Sequence, residues 1–206
     1  MKYLLIDTTT FFVTIAIASE NKLLYIYHEQ IKEDMSSKII PIIESAFNQL
    51  DFDITAIDKI LVANGPGSFT GIRVGVTIAK TIAYSLKKDI IPISSLELMA
   101  TTSTNKKFLI PMIDARRGNV YSGVYDNELN IISPNKLVSL KEISNSFNNQ
   151  YDFISYDDIK ISNLKVPSID VLKIINKHKF DHGINPHNLN PNYLKLTQAE
   201  EDKKSQ

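Results

Sequence analysis

The sequence predicts an α/β chain in which mixed sheets are flanked by helices and two lobes follow one another. Three observations carry this. Short apolar runs open the chain at strand spacing, helical stripes then alternate with single apolar runs, and the same order partly returns after residue 107. Tyr3 to Asp7, Phe12 to Ala18 and Leu23 to Tyr27 are separated by Thr8-Thr9-Thr10 and by Ser19-Glu20-Asn21, the pattern of an antiparallel meander. Ile39, Ile42, Ile43, Ala46, Phe47 and Leu50 recur at three- and four-residue intervals, which predicts a helix capped by Ser36 or Ser37, with Pro41 tolerated near its first turn. Lys59 to Ala63 and Ile90 to Ile93 read as buried strands, and Ser94-Ser95-Leu96-Glu97 is a capping box that opens a short helix. The polar bridge Thr101 to Lys107 marks a boundary between an N-terminal lobe, residues 1–103, and a smaller C-terminal lobe, residues 104–206. In the second lobe Phe108 to Ile113, Asn119 to Tyr125 and Ile131-Ile132 repeat the meander. Ser139 to Glu142 offers another capping box, and Val171 to Ile175 reads as a helix after Ser168. The return of one order hints at internal duplication. A mixed-charge tail around Glu200 to Lys204 is expected to be disordered.

Composition removes several classes of function. The 206 residues include no cysteine, which excludes disulfides and thiolate metal sites and fits a reducing, cytoplasmic location. Lys plus Arg and Asp plus Glu each number 23, so no net field holds a nucleic acid by counterion release alone. The opening Met1 to Asp7 breaks its apolar run too early for a signal peptide, and no apolar stretch reaches membrane-spanning length.

The stretch from Asn64 to Ala83 joins a glycine turn to a helix that Ser68 or Thr70 can cap. Within it Gly71, Gly75, Ala79 and Ala83 recur every four residues and stack along one side. Each interior glycine costs about 0.5–1 kcal/mol against alanine, so the stripe calls for close approach of another backbone, in packing or in docking on a partner, with plain core structure as a further reading. The competing reading takes Gly65, Gly67 and Ser68 as a nucleotide or anion contact. The spacing fits neither a Walker loop nor a dinucleotide fingerprint.

Four words of sequence carry a resemblance. They are Ile6 to Thr9, Gly65-Pro-Gly-Ser-Phe-Thr-Gly-Ile-Arg-Val-Gly75, Ile113-Asp-Ala-Arg116 with Gly118 and Val120-Tyr121, and Pro191-Asn-Tyr-Leu-Lys195. In this order they resemble the TsaB (YeaZ) family, the bacterial subunit that pairs with the TsaD threonylcarbamoyl transferase. The resemblance implies an actin-like, ribonuclease H-like fold of two lobes. It also implies membership of the cytoplasmic machinery that makes N6-threonylcarbamoyladenosine in tRNA, as a non-catalytic scaffold. The implied partners are TsaD, TsaE and, for the free protein, a second copy, with tRNA reached only through the complex. No intrinsic cofactor is implied, and ATP or ADP is expected only at the complex interface. The docking face carried over is that of the two lobe-one helices, with Ile39, Ile43, Phe47, Gly71, Arg73, Gly75, Ala79 and Ala83. TsaD-type relatives hold a metal with a His-x-x-x-His pair, whereas Glu33 to Pro41 here contains no histidine and Met35 stands where many TsaB sequences have one. Asp7 sits where actin-like ATPases position their phosphate chemistry, but Thr8-Thr9-Thr10 lacks the glycine that lets phosphate approach, so Asp7 reads as a turn residue.

Other constellations weigh less. His178 and His182 have ligand spacing, but the following Gly183 points to a helix end and no zinc site is expected. Arg116 and Arg117 fit either a partner contact or a solvated hairpin tip. The alternative function is a stand-alone actin-like ATPase or kinase, or a glycoprotease-type enzyme.

Overall fold

A computed structural model describes residues 1–146 and 150–194; Lys195 and the tail around Glu200 to Lys204 lie outside the described residues. The first sheet opens with the expected meander, β1 (Lys2–Asp7), β2 (Phe12–Ser19) and β3 (Leu23–Gln30). It then adds β4 (Lys59–Ala63) parallel to β1 and β5 (Ile90–Ile93) parallel to β4, in the order β3-β2-β1-β4-β5. Parallel pairing needs a crossover. The helices α1 (Met35–Asn48) and α2 (Phe69–Leu86) supply the crossovers from β3 to β4 and from β4 to β5.

The second sheet repeats this plan. An antiparallel meander of β6 (Phe108–Asp114), β7 (Asn119–Asp126) and β8 (Ile131–Ser139) is followed by β9 (Tyr151–Ile154), parallel to β6, and β10 (Leu164–Lys165), parallel to β9. The order β8-β7-β6-β9-β10 matches that of the first sheet, so the hinted duplication is real at the level of topology. Helix α4 (Leu140–Ser146) begins the crossover from β8. Together the two sheets give the two-lobed α/β fold of the actin-like, ribonuclease H-like type.

Burial explains why the strands of the first sheet read as unbroken apolar runs. Leu4, Ile6, Ile15, Ile17, Ile60 and Val62 pack under α1 and α2. Their alternates Tyr3, Leu5, Ala16, Ala18 and Leu61 face α3 (Ser95–Met99), α5 (Val171–His178) and the inner face of the second sheet. A sheet covered on both faces has no polar side to alternate. On the outer face of the second sheet, Ile110, Met112, Val120 and Phe153 pack with Ile143 of α4.

Several local expectations are corrected. Helix α1 has no side-chain cap: Asp34 takes a left-handed φ of 51°, and the Ser37 hydroxyl donates back to its carbonyl at 2.8 Å. Asp170, not Ser168, caps α5 by accepting from Lys173 N at 2.9 Å, while Ser168 N is tied to Thr102 Oγ1. The lobes are also not two consecutive halves. Beyond α5 the chain returns to the first sheet, where Ile184 bridges Ile90, Leu189 joins the core under α2, and Asn192 N donates to Asn64 O at 2.7 Å.

Candidate functional site

The glycine turn and the start of α2 are built around β1. Ser68 caps the helix, its hydroxyl accepting from Gly71 N at 3.3 Å, while its own N–H donates to Thr9 O at 2.7 Å. Gly65 and Gly67 hold φ values of 126° and 156°, and a Cβ on either would lie 2.1 Å from Asn192 O or 2.2 Å from Thr9 O. Gly65 is therefore sealed beneath the returning C-terminal segment and cannot meet a ligand. Gly67 and Ser68 do line open space.

The small-residue stripe serves this molecule's own interior. A Cβ on Gly71 would stand 2.0 Å from Thr8 O, and one on Gly75 2.4 Å from Thr8 Oγ1, which is pinned by its 2.7 Å bond to Gly71 O. Ala79 and Ala83 are fully buried. The backbone whose close approach the stripe demanded is thus the turn after β1, and Gly71, Gly75, Ala79 and Ala83 cannot touch a partner. Ile39 and Ile43 are also buried beneath α1, and Phe47 is half-buried, edge-on to Phe52. Of the residues expected on a docking face, Arg73 alone is exposed. Its guanidinium stacks 3.8 Å from the Phe69 ring centroid and its Nε donates to Tyr193 Oη at 2.8 Å, while Tyr193 stacks on Phe69. Arg73 thereby fastens the C-terminal segment to α2. The opposite faces of the two helices remain open, with Ile40 51% and Tyr84 66% exposed and Thr70, Thr77 and Thr81 beside them.

Between the lobes lies a cleft of about 670 Å³. Its walls include Thr9, Thr10 and Ser68 from the first lobe and Asp114, Arg116 and Asp157 from the second. Asp7 sits behind it, 4% exposed, with Oδ1 accepting from Thr9 N at 2.8 Å and from Thr9 Oγ1 at 2.7 Å. Burial raises its pKa to about 6 against the pull of those two bonds. Its Oδ1 closes the Thr8 to Thr10 turn, as the sequence suggested for a turn residue. Burial, with a smaller contribution from the Asp114 charge, also lifts the pKa of Asp157, which accepts from Asp114 N at 2.8 Å.

His178 is occupied on both sides, Nε2 by Glu97 at 3.0 Å and Nδ1 by Asp181 at 2.7 Å. Burial pulls its pKa down, but hydrogen bonds and charge from Glu97 and then Asp181 outweigh this and leave it raised. The ring is committed to two carboxylates, and His182 has no part in the arrangement. Sequence reasoning missed Tyr156 and His28, which meet across the lobes with the Tyr156 hydroxyl 3.1 Å from His28 Nε2. No local pattern could have paired residues 128 positions apart.

The family model described as TsaD: tRNA N6-adenosine threonylcarbamoyltransferase matches residues 26–166. The chain is 42% identical to the tRNA threonylcarbamoyladenosine biosynthesis protein TsaB of Bacillus subtilis over 126 residues, covering 61% of this chain and 55% of that protein. It is 29% identical to the TsaB of Escherichia coli over 133 residues, covering 63% and 57%. The matched stretch therefore spans little more than half the length of these curated relatives. The solved structure of YeaZ from Pseudomonas aeruginosa superposes with a TM-score of 0.79 at 19% identity, covering 94% of this chain and 99% of that one, which establishes a shared fold.

Proposed function

Because the chain belongs to the TsaD family, tRNA N6-adenosine threonylcarbamoyltransferase, and within it to the TsaB (YeaZ) group, we propose that it serves the synthesis of N6-threonylcarbamoyladenosine in tRNA as a non-catalytic subunit. It docks on a TsaD-type transferase and supports the transfer of the threonylcarbamoyl group. The observation that carries the non-catalytic role is the state of the turn after β1. Asp7 is buried and bonded to Thr9, and the backbone of Thr8 and Thr9 lies within 2.2 Å of where a Cβ would stand on Gly71 and Gly67. With Thr9 N committed to Asp7 and no glycine among Thr8 to Thr10 to bring a phosphate close to the backbone, the turn offers poor support for actin-like ATPase chemistry in the first lobe.

Docking is assigned to the outer faces of α1 and α2, opposite the sealed stripe, around Ile40, Thr77, Thr81 and Tyr84. Self-association of the free chain uses the same faces, and TsaE and tRNA join through the complex. No cofactor is assigned to the chain itself, and ATP or ADP is placed at the subunit junction. No helix among the described residues is long and apolar enough to cross a membrane.

The test is co-purification and sizing with TsaD. Ile40→Asp and Thr77→Arg alter exposed positions and are expected to weaken the complex roughly tenfold or more while leaving the circular dichroism spectrum unchanged, as central contacts of an interface do. Wild-type binding by both variants would overturn the assignment of the face. Turnover of ATP by the chain without partners would overturn the non-catalytic role.

A further inference from the structure

We propose that the turn Ser155-Tyr156-Asp157 is a bolt that holds the two lobes at one fixed opening, so that the cleft does not close on what enters it. The three residues divide the task. The Ser155 hydroxyl donates to Met112 O at 2.8 Å and accepts from Asp157 N at 3.0 Å, fixing the turn to β6. Tyr156 then crosses into the first lobe. Its ring stacks on Phe12 at 4.5 Å between centroids and meets Phe11 edge-on, and its hydroxyl is bonded to His28, whose Nδ1 is bonded in turn to Thr14 Oγ1 at 2.8 Å. Asp157 turns back to the cleft wall, where it accepts from Asp114 N.

A stacked pair with a partly buried hydrogen bond behind it holds orientation as well as distance, because the ring cannot slide without losing both. The opposite side of the molecule is also fastened. There Asn135 of β8 donates to Ser94 Oγ at 2.9 Å while its Oδ1 accepts from Tyr125 Oη at 2.7 Å. Two attachments far apart in sequence, one through β2 and β3 and one beyond β5, leave no single hinge about which the lobes could rotate.

The absence of cysteine makes the test direct. Ser36→Cys and Lys160→Cys place spin labels on exposed positions of the two lobes, and the distance between them is read by pulsed electron resonance. The parent is expected to give one narrow distribution, unchanged by millimolar Mg-ATP. Tyr156→Ala should widen it to roughly twice the parent width, because a second population of openings becomes accessible. Tyr156→Phe keeps the stack and should widen it less. Phe12→Leu provides the same test should the alanine variant fail to fold, since it removes the stack but keeps an apolar residue there. A broad or ATP-responsive distribution in the parent would overturn the proposal. So would an unchanged width in folded Tyr156→Ala or Phe12→Leu.

Discussion

Placing an alanine at Gly75 asks whether the stripe on α2 is sealed against this molecule or open to another. On an exposed helix face the substitution would stabilise by about 1 kcal/mol through helix propensity. Here the new methyl would stand 2.4 Å from Thr8 Oγ1, which cannot swing away without breaking its bond to Gly71 O. Overpacking of this kind costs about 1–3 kcal/mol, so after the propensity gain the net expectation is a loss of up to about 2 kcal/mol. Thr8→Ala alone forfeits a buried hydrogen bond, worth about 1 kcal/mol. With Oγ1 gone, the nearest neighbours of the methyl introduced by Gly75→Ala would be Thr8 Cβ at 3.6 Å and Ile6 Cγ2 at 3.7 Å, which is ordinary contact. In the Thr8→Ala background the alanine should therefore recover its propensity gain, giving a coupling of about 1–3 kcal/mol between the two sites. Urea denaturation of the parent, both single variants and the double variant measures it. Additivity within about 0.5 kcal/mol would show that the stripe is not packed on this turn and would restore it as an external groove.

Two pH-linked outcomes follow from buried groups. Asp7 holds its proton more tightly in the folded chain, with a pKa of about 6 against 3.8, so ionising it costs about 3 kcal/mol above the folded value, and that cost fades as pH falls to the unfolded one. Asp7→Asn should accordingly raise stability to urea at neutral pH by about 2–3 kcal/mol, with the gain shrinking toward pH 4; a variant that gains nothing at neutral pH would mean that the carboxylate is well solvated. His178 titrates in the other sense, because a raised folded pKa contributes stability in full below its ordinary 6.5 and loses it as pH rises through the folded value. The deficit of His178→Gln in urea midpoint should be larger at about pH 6 than at about pH 9, and equal deficits at both would show that the ring is held as a neutral group.

What is legible in the sequence divides from what is not along a physical line. The strands and helices of the first lobe are legible because two-sided burial leaves continuous apolar runs and the crossover helices keep a clean stripe; β4 runs from Lys59 to Ala63 as expected. The strands β9 and β10 are not. They are short, and β9 includes Asp152, a carboxylate kept buried by Lys165 and Thr104, which a hydropathy pattern cannot separate from a loop. For the site, the sequence discloses that α2 must meet a backbone at close range but not whose backbone, because helical spacing defines a face without naming what covers it. Arg73 is hidden for a related reason: its charge suggests a partner, and its guanidinium is instead spent on Phe69 and on Tyr193, 120 positions away.

The duplication explains why the cleft has one closed wall and one open wall. After β1 the turn of Thr8 to Thr10 is roofed by α2, the crossover between the fourth and fifth strands of its sheet. After β6 the equivalent turn, Asp114 to Gly118, receives no such roof, because the second lobe connects β9 to β10 through residues 155–163 without a helix. A Cβ on Gly118 would meet nothing within 4 Å, and Arg116 and Arg117 hold left-handed φ values of 65° and 55° at an exposed tip. The missing helix leaves a short connection whose first residues would otherwise hang over the cleft, and Tyr156 uses that freedom to reach Phe12 and His28 of the first lobe. One truncation relative to the first half thus does two things: it uncovers a basic hairpin on the rim of the cleft, and it supplies the side chain that spans the lobes. Arg116, on the cleft wall, and Arg117 beside it are consequently cations of the second lobe that an approaching protein or phosphate can reach without displacing any part of this chain, as Lys32 is on the first-lobe side.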